Sequence, residues 1–487
     1  DVSQGRLRGI TADGVHSFKG IPYALAPVAD LRWAPTQPAR AWEGIRDAGQ
    51  FGSDCMQEPR KRSSPYFFEL TGPSEDCLFL NIWSSSMASE RRAPVMVWIH
   101  GGSHTRGSGS EPNFNGAALA RQGVVLVTIN YRLNVFGYMP HEELSAEQGG
   151  HSGNYGLYDQ VAALEWVRDN IDKFGGDSGN VTIFGVSAGS SSVNQLVVNP
   201  AAKGLFHRTI GQSGGIFHPM KELASGTDSG HARGARMATA LNVSSLKAMR
   251  EVGEKDLLTA YGELAKQGYE LGVIMDGKTI PGQAIDLFRS GNYNQVPTMV
   301  GYNRDEATTL SQMPFLVSIT KDREGFSKAL DMWAPQLKDQ ILAAYPAREG
   351  GKTHQPQHDF FRDVAFGWNM QTWARLNEED NNPAWLYFFT RQPPTPNGQK
   401  FGAYHGVEKL YVFGNGVADT PEDQTLSQQM QRYWVNFARY GDPNGKEKVS
   451  WPRFGSEGHY LQLKPGPEPG KALNRETMAL IDKANGL

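Results

Sequence analysis

The sequence predicts an α/β fold, with a mostly parallel central sheet flanked by helices. Short apolar runs rich in β-branched residues recur along the chain, and amphipathic helical patterns separate them. A glycine-flanked serine turn, Gly185-Val-Ser-Ala-Gly189, joins one of these runs to the next helical pattern. Because neighbouring parallel strands need a long crossover, strands that alternate with helices favour a parallel sheet. We expect residues 1–487 to form a single domain of this kind.

The apolar runs and helical patterns locate the main elements of the sheet. We predict strands over residues 95–99, 124–129, 181–184, 207–212, 296–301 and 384–389. We predict helices over residues 155–174, 188–198 and 426–440. Residues 221–288 and 315–380 have mixed amphipathic character, which indicates helical insertions between core strands.

Composition and charge exclude several classes of protein. The 487 residues carry a formal net charge of −3, which gives no support for a nucleic-acid partner. The apolar runs are too short to span a membrane. The chain starts at Asp1 without a basic and then apolar leader, so we expect a signal peptide to be absent or already removed. The two cysteines, Cys55 and Cys77, are either buried thiols or a loop-closing disulfide.

The serine turn is the strongest chemical signal in the sequence. A sharp strand-to-helix turn crowds its neighbours, and glycine at positions 185 and 189 relieves that crowding. Such a turn lifts the hydroxyl of Ser187 above the sheet at the start of a helix, as in the nucleophile elbow G-x-S-x-G. A serine hydroxyl is a weak nucleophile, so it needs a base, an acid that orients the base, and donors for the oxyanion.

The donors are predicted in the loop His100-Gly-Gly-Ser103, which directly follows the strand at 95–99. Bare glycines allow backbone amides to approach a substrate oxygen. We assign Gly101, Gly102 and the amide of Ala188 to this role. An ordinary glycine-rich loop is the alternative.

The acid and the base are expected after the serine, in the order that α/β-hydrolases use. The strand at 296–301 leads into Asp305 and Glu306, and their spacing does not distinguish between them. Among twelve histidines, His405 lies in a loop after the strand at 384–389. A metal site at His354 and His358 is disfavoured, because the proline between them interrupts a helical ligand pair; we predict no metal.

Several longer motifs, in order along the chain, resemble those of the type-B carboxylesterase and cholinesterase family, which has the α/β-hydrolase fold. The motifs are Gly20-Ile-Pro-Tyr-Ala24, Glu75-Asp-Cys-Leu-Phe-Leu-Asn-Ile-Trp83, Gly153-Asn-Tyr-Gly-Leu-Tyr-Asp-Gln160, the serine turn, Gly406-Val-Glu408 and Gly441-Asp-Pro-Asn444.

The resemblance implies a serine esterase that acts on small-molecule esters without a cofactor. It selects Glu306 as the acid of a triad with Ser187 and His405. It also implies a disulfide between Cys55 and Cys77, and with it an extracytoplasmic location, either secreted or periplasmic.

The sequence departs from the family at positions near the expected site. Val186 stands where members commonly have glutamate, and the cysteine loop has no tryptophan. Both differences favour a para-nitrobenzyl-esterase-like protein over a cholinesterase proper. His104, Arg106 and the run Arg60-Lys-Arg62 suggest preference for a polar or anionic acyl group, although a solvated surface run is the simpler interpretation.

Two other functions were weighed against esterase activity. A non-catalytic binding or adhesion protein of the same fold would be expected to lack a triad residue. A lipase would need a wide apolar entrance and an amidase a protonated amine leaving group, and aromatic residues of the 315–380 segment either line such an entrance or belong to the core.

Overall fold

The computed structural model describes residues 1–87, 92–310, 322–346, 356–446 and 448–487. His354 and part of the predicted 315–380 insertion lie outside these ranges. Contacts group the chain into two units, which are described separately. The first comprises Asp1–Arg208 and Pro219–Asn294, and the second comprises Thr209–His218 and Gln295–Leu487. That residues 1–487 form one domain stays a prediction.

The sheet of the first unit has parallel strands at one side and antiparallel strands at the other. Its strands are β1 (Arg6–Arg8), β2 (Ile10–Ala12), β3 (Val15–Pro22), β4 (Ile45–Asp47), β5 (Phe79–Ser84), β6 (Ala93–Ile99), β7 (Val125–Ile129) and β8 (Gly176–Val186). The order is β8-β6-β7-β5-β3-β2, and β1 pairs with β4 separately. Strand β6 runs parallel to both β7 and β8, and Ile99 pairs with Gly185. The segments that follow β6 and β8 therefore leave the same edge of the sheet.

The helices of the first unit include those that follow these strands. They are α1 (Ala117–Arg121), α2 (Asn134–Gly137), α3 (Glu142–Glu147), α4 (Tyr155–Asn170), α5 (Ala188–Val198), α6 (Gly230–Ala240), α7 (Leu246–Glu251), α8 (Glu254–Ala265) and α9 (Ala284–Arg289). Residues 95–99 of β6 are fully buried. A second apolar cluster joins α2, α6, α7 and α8 through residues such as Phe136, Met237, Met249 and Leu257.

The second unit has parallel strands with one antiparallel strand at the edge. Its strands are β9 (Arg208–Gln212), β10 (Thr298–Asn303), β11 (Ala384–Phe389), β12 (His459–Leu463) and β13 (Glu468–Lys471), in that order, with only the β12–β13 pair antiparallel among those described. Its described helices are α10 (Ala307–Leu310), α11 (Arg323–Trp333), α12 (Lys338–Ala344), α13 (Pro356–Arg362), α14 (Trp368–Glu379), α15 (Pro396–Phe401), α16 (Glu408–Phe413), α17 (Pro421–Tyr440) and α18 (Arg475–Ala484).

The structure confirms the predicted elements with shifts of up to five residues at their ends; β8 and α17 both begin five residues earlier than predicted. Helix α5 and strand β11 have the predicted bounds. The predicted helix over 155–174 is α-helical to Asn170 and continues as one 3₁₀ turn to Phe174, where Gly175 ends it at φ 78°. Strand β10 lies two residues later than predicted.

Candidate active site

Ser187 lies alone between a strand and a helix, as the motif predicts. Strand β8 ends at Val186 and helix α5 begins at Ala188. The backbone of Ser187 has φ 59° and ψ −127°, a sparsely populated conformation that costs roughly 1–3 kcal/mol. Val186 and Ala188 are buried, whereas Ser187 is half-buried. The turn therefore presents the serine side chain while its neighbours pack inward.

The two glycines of the turn are required by a close approach of backbone. A Cβ atom on Gly185 would lie 2.6 Å from the carbonyl oxygen of Ile99, and one on Gly189 only 2.0 Å from that same atom. Real Cβ atoms do not approach a backbone oxygen so closely. Absence of a side chain at these two positions thus allows helix α5 to start against the end of β6.

The glycine loop after β6 lies against the serine turn. A Cβ atom on Gly101 would lie 2.5 Å from the carbonyl oxygen of Val186 and 3.1 Å from the Cβ of Ser187. Gly102 has φ 116°, and a Cβ there would lie 2.1 Å from the carbonyl oxygen of Arg106. The structure thus brings Gly101 beside Ser187, and it leaves no room for a side chain at Gly101 or Gly102.

His100 holds the start of this loop as an uncharged residue. Its Nδ1 lies 2.9 Å from the carbonyl oxygen of Gly101, its ring stacks on Tyr131 at 4.5 Å between centroids, and the Tyr131 hydroxyl donates to its carbonyl oxygen at 2.7 Å. Burial lowers the pKa of His100 to about 4. The imidazole is therefore neutral at neutral pH and acts as a packing and hydrogen-bonding group.

His104 is buried beneath the serine helix. Its Nε2 lies 3.1 Å from Oγ of Ser192, in α5, and its ring packs on Tyr138 at 5.0 Å. Burial lowers the pKa of His104 to about 4, and a backbone hydrogen bond with Ala188 opposes this shift. His104 is therefore neutral at neutral pH and offers an anionic acyl group no positive charge. Its contacts brace the first turn of α5.

Arg106 closes the same loop and remains half-buried. Its amide donates to the carbonyl oxygen of Gly102 at 3.1 Å, next to a second bond from the amide of Thr105 at 3.0 Å. Gln57 bridges the amide and the carbonyl of the following residue, Gly107, at 2.8 Å each. The loop conformation is thus fixed by hydrogen bonds to its backbone, two from within the loop and two from the Gln57 side chain.

In the second unit, Glu306 and His405 form a buried pair. Nδ1 of His405 lies 2.5 Å from Oε2 of Glu306. The other carboxylate oxygen accepts from Oγ of Ser213 at 2.6 Å and from the amide of Asn303 at 2.7 Å. Because a carboxylate accepts hydrogen bonds, Nδ1 of His405 is the donor, and the basic lone pair of the neutral ring is on Nε2.

The neighbouring acid, Asp305, has a different role in the structure. It pairs with Arg304 at 2.9 Å and accepts from the amide of Ala403 at 2.7 Å. Asp305 therefore holds the loop that carries His405. Of the two acids that spacing left open, Glu306 is the one that contacts the imidazole of His405, and its role as the catalytic acid stays a prediction.

Two neighbours of this pair were not identified from the sequence. The ring of Phe366 packs on His405 at 4.8 Å. Glu408 is fully buried and accepts from Gln212 at 3.0 Å and from Asn303 at 2.5 Å. Burial, and then the charge of Glu306, raises the pKa of Glu408. Glu408 lies in the motif Gly406-Val-Glu408, but the motif alone does not reveal its contacts.

Cys55 and Cys77 form the disulfide that the resemblance implied. None of the described helices is long and apolar enough to cross a membrane. Within the described ranges, no group of three or more histidine, cysteine or acidic residues could hold a metal ion.

Comparisons with known proteins agree with the motifs. The model of the carboxylesterase family matches residues 1–481. The chain is 34% identical to the fumonisin B1 esterase of Sphingopyxis macrogoltabida, covering 97% of this chain and 87% of that one. It is 35% identical to the para-nitrobenzyl esterase of Bacillus subtilis, with 93% and 92% covered.

Solved structures show the same relationship. A carboxylesterase of Geobacillus stearothermophilus superposes with a TM-score of 0.86 at 31% identity, covering 98% of each chain. A PNB esterase gives a TM-score of 0.85 at 31% identity, with 99% and 98% covered. These relatives are named as esterases, which favours hydrolysis over the non-catalytic alternative. The chain therefore belongs to the carboxylesterase family, has the α/β-hydrolase fold and is a carboxylic ester hydrolase.

Proposed function

We propose that the protein hydrolyses small carboxylic esters through an acyl-enzyme formed on Ser187. His405 takes the proton of the Ser187 hydroxyl as that oxygen attacks the ester carbonyl, and Glu306 stabilises the resulting imidazolium. His405 then protonates the leaving alcohol. Water, deprotonated by His405, attacks the acyl-serine and releases the acid, so the cycle needs no cofactor.

The observation that carries this proposal is the hydrogen bonding around Glu306. One carboxylate oxygen is held by two donors, and the other lies 2.5 Å from Nδ1 of His405. This arrangement fixes the imidazole in the tautomer whose Nε2 can accept a proton. The Glu306 carboxylate is buried and has three hydrogen-bond partners, an arrangement that is not expected of an ion pair at the protein surface.

Gly101, Gly102 and Ala188 are proposed as the amide donors for the oxyanion. A Cβ atom on Gly101 would lie 3.1 Å from the Cβ of Ser187. This closeness supports the role, since it brings the amides of the glycine loop near the attacking oxygen. Removal of one such donor typically raises a barrier by about 3–4 kcal/mol.

Val186 is proposed to favour neutral esters over cationic ones. It is buried beside the nucleophile, where family members commonly have glutamate, so no carboxylate is available there to attract a positive group. We expect Val186→Glu to raise the specificity constant for choline esters relative to neutral esters of equal size. A ratio of these two specificity constants that is unchanged from wild type would contradict this assignment.

We also propose an extracytoplasmic location, either secreted or periplasmic. The Cys55–Cys77 disulfide supports it, because disulfides persist in oxidising compartments and are rare in the cytosol.

The test is hydrolysis of p-nitrophenyl esters from acetate to laurate by wild type and Ser187→Ala in parallel. We expect the variant to lose nearly all activity, and the chain-length profile to report the size of the acyl pocket. A matched control is Ser190→Ala, a buried serine in helix α5, which directly follows Ser187. Retention of full rate by Ser187→Ala would refute the proposed nucleophile.

A further inference from the structure

Arg60 lies against the glycine loop that is proposed to bind the oxyanion. It belongs to the loop closed by the Cys55–Cys77 disulfide. A Cβ atom on Gly102 would lie 3.1 Å from Nη2 of Arg60. The guanidinium of Arg60 therefore lies so close to the backbone of Gly102 that a side chain at position 102 would press against it.

The charge of Arg60 is not neutralised by a direct ion pair. Within the described ranges, no carboxylate lies within ion-pair distance of its guanidinium, and its buried Nε has no hydrogen-bond partner. Its guanidinium carbon lies 5.5 Å from the ring centroid of Tyr66, a contact that gives Nε no hydrogen-bond acceptor. Burial lowers the pKa of Arg60. Guanidinium groups that lose water in this way usually gain a carboxylate partner.

Arg106 is a second cationic residue of the glycine loop, and its backbone lies directly beside Gly102. It is half-buried, and its backbone is hydrogen-bonded to Gly102. Its charge further lowers the pKa of Arg60, whereas the charge of Glu111 opposes the shift from beyond ion-pair distance. No ion pair of Arg106 is present in the part of the chain that the structure describes.

The neighbouring Arg62 is an ordinary surface arginine of the same loop and serves as a comparison for Arg60. Its side chain is 81% exposed and pairs with Glu69 at 3.0 Å. The sequence alone groups Arg60 and Arg62 in one basic run, but the structure separates them. Arg62 is solvated and paired, and Arg60 is partly desolvated next to the donor loop.

We propose that Arg60 and Arg106 form a subsite for a carboxylate group carried by the ester substrate. A guanidinium presents a planar fork of donors that matches a carboxylate, so an anionic substituent would satisfy the N–H groups of Arg60. The inference rests on the proposed role of Ser187, because it concerns which esters reach that serine. The substrate class is an ester with a free carboxylate near the scissile bond.

The experiment compares matched anionic and neutral esters at neutral pH. For a carboxylate on the acyl side, the pair is monomethyl glutarate and methyl pentanoate. For a carboxylate on the alcohol side, the pair is 4-acetoxybenzoate and its methyl ester. The readout is the ratio of kcat/KM for the anionic ester to kcat/KM for the neutral one, which does not depend on the fraction of correctly folded enzyme.

We expect Arg60→Gln and Arg106→Gln each to lower this ratio about tenfold or more in one of the two pairs, because each removes a charged hydrogen-bond donor. Arg60→Lys should retain part of the ratio, and the exposed control Arg62→Gln should leave it within about twofold of wild type.

The outcomes separate this inference from the proposed function. An unchanged ratio in both pairs for Arg60→Gln and Arg106→Gln would overturn the subsite, even if hydrolysis of neutral esters depends on Ser187. A fall equally large in Arg62→Gln would also overturn it, since it would indicate a general surface field. Neutral-ester hydrolysis that survives Ser187→Ala would instead refute the proposed nucleophile.

Discussion

Replacement of Glu306 by glutamine tests how the imidazole is oriented. The oxygen Oε1 of Glu306 accepts from the Ser213 hydroxyl and from the backbone amide of Asn303. The amide N–H cannot rotate away, so the glutamine oxygen must take this place and its NH₂ group must face His405. Nδ1 of His405 then has to accept a hydrogen bond, and the ring proton moves to Nε2.

This tautomer cannot take a proton from a serine hydroxyl. Amide replacement of the triad acid in another serine hydrolase lowers kcat by about 10⁴-fold through the same change of tautomer. We expect a loss of that order for Glu306→Gln, which corresponds to about 5.5 kcal/mol in the activation barrier. Folding should change little, because the side chain keeps its shape and all three partners.

The assay is kcat for p-nitrophenyl butyrate, with circular dichroism and thermal unfolding to confirm the fold. Asp305→Asn is the matched control. It also removes one buried negative charge, yet that carboxylate pairs with Arg304 and accepts a hydrogen bond from the amide of Ala403. We expect the control to stay within about tenfold of wild type. If kcat of Glu306→Gln is also within tenfold of wild type, the assigned role of Glu306 is wrong.

Three further results are expected. As the pH falls from 6.5 towards 4, wild type should lose about 1 kcal/mol of unfolding free energy per pH unit relative to His104→Gln, because the unfolded histidine binds a proton that the buried one excludes; urea unfolding at several pH values measures this, and parallel curves would contradict it. Gly189→Ala should fail to accumulate as folded protein, since its Cβ would lie 2.0 Å from a backbone oxygen, whereas Gly262→Ala, which meets nothing within 4 Å in helix α8, should be neutral or slightly stabilising in thermal unfolding. Loss of the disulfide in the double variant Cys55→Ala/Cys77→Ala should lower the unfolding free energy by about 3 kcal/mol, and an unchanged denaturation midpoint would show that the loop is held by its other contacts.

The central strands and the serine turn could be predicted because local sequence determines them. Buried parallel strands are continuous apolar runs, and the turn combines a strand, two glycines and a helix within a few residues. Strands β2 and β13 were missed, since their side chains are largely exposed and carry no apolar pattern. Such strands form because they pair with a neighbouring strand, and a single sequence does not identify that partner.

In the candidate site, too, local motifs were predictable and contacts between distant segments were not. Ser187 and the glycine loop were predicted from motifs, and the family resemblance selected Glu306; their catalytic roles stay predictions. The contacts of Ser213 and Glu408 could not be predicted, because the segments that carry them are far apart in sequence. The burial of His104 could not be predicted either, since residue type does not reveal whether a histidine is exposed or packed beneath a helix.

The pairing of Ile99 with Gly185 affects how the enzyme should tolerate change. The donor loop and the serine turn both begin where these paired strands end, so backbone hydrogen bonds of the sheet set the spacing between them. We therefore expect side-chain substitutions elsewhere, including those in the disulfide-closed loop, to alter ester preference without moving the serine relative to the glycine amides. Evolution and engineering can therefore change substrate range while the reacting geometry is inherited intact.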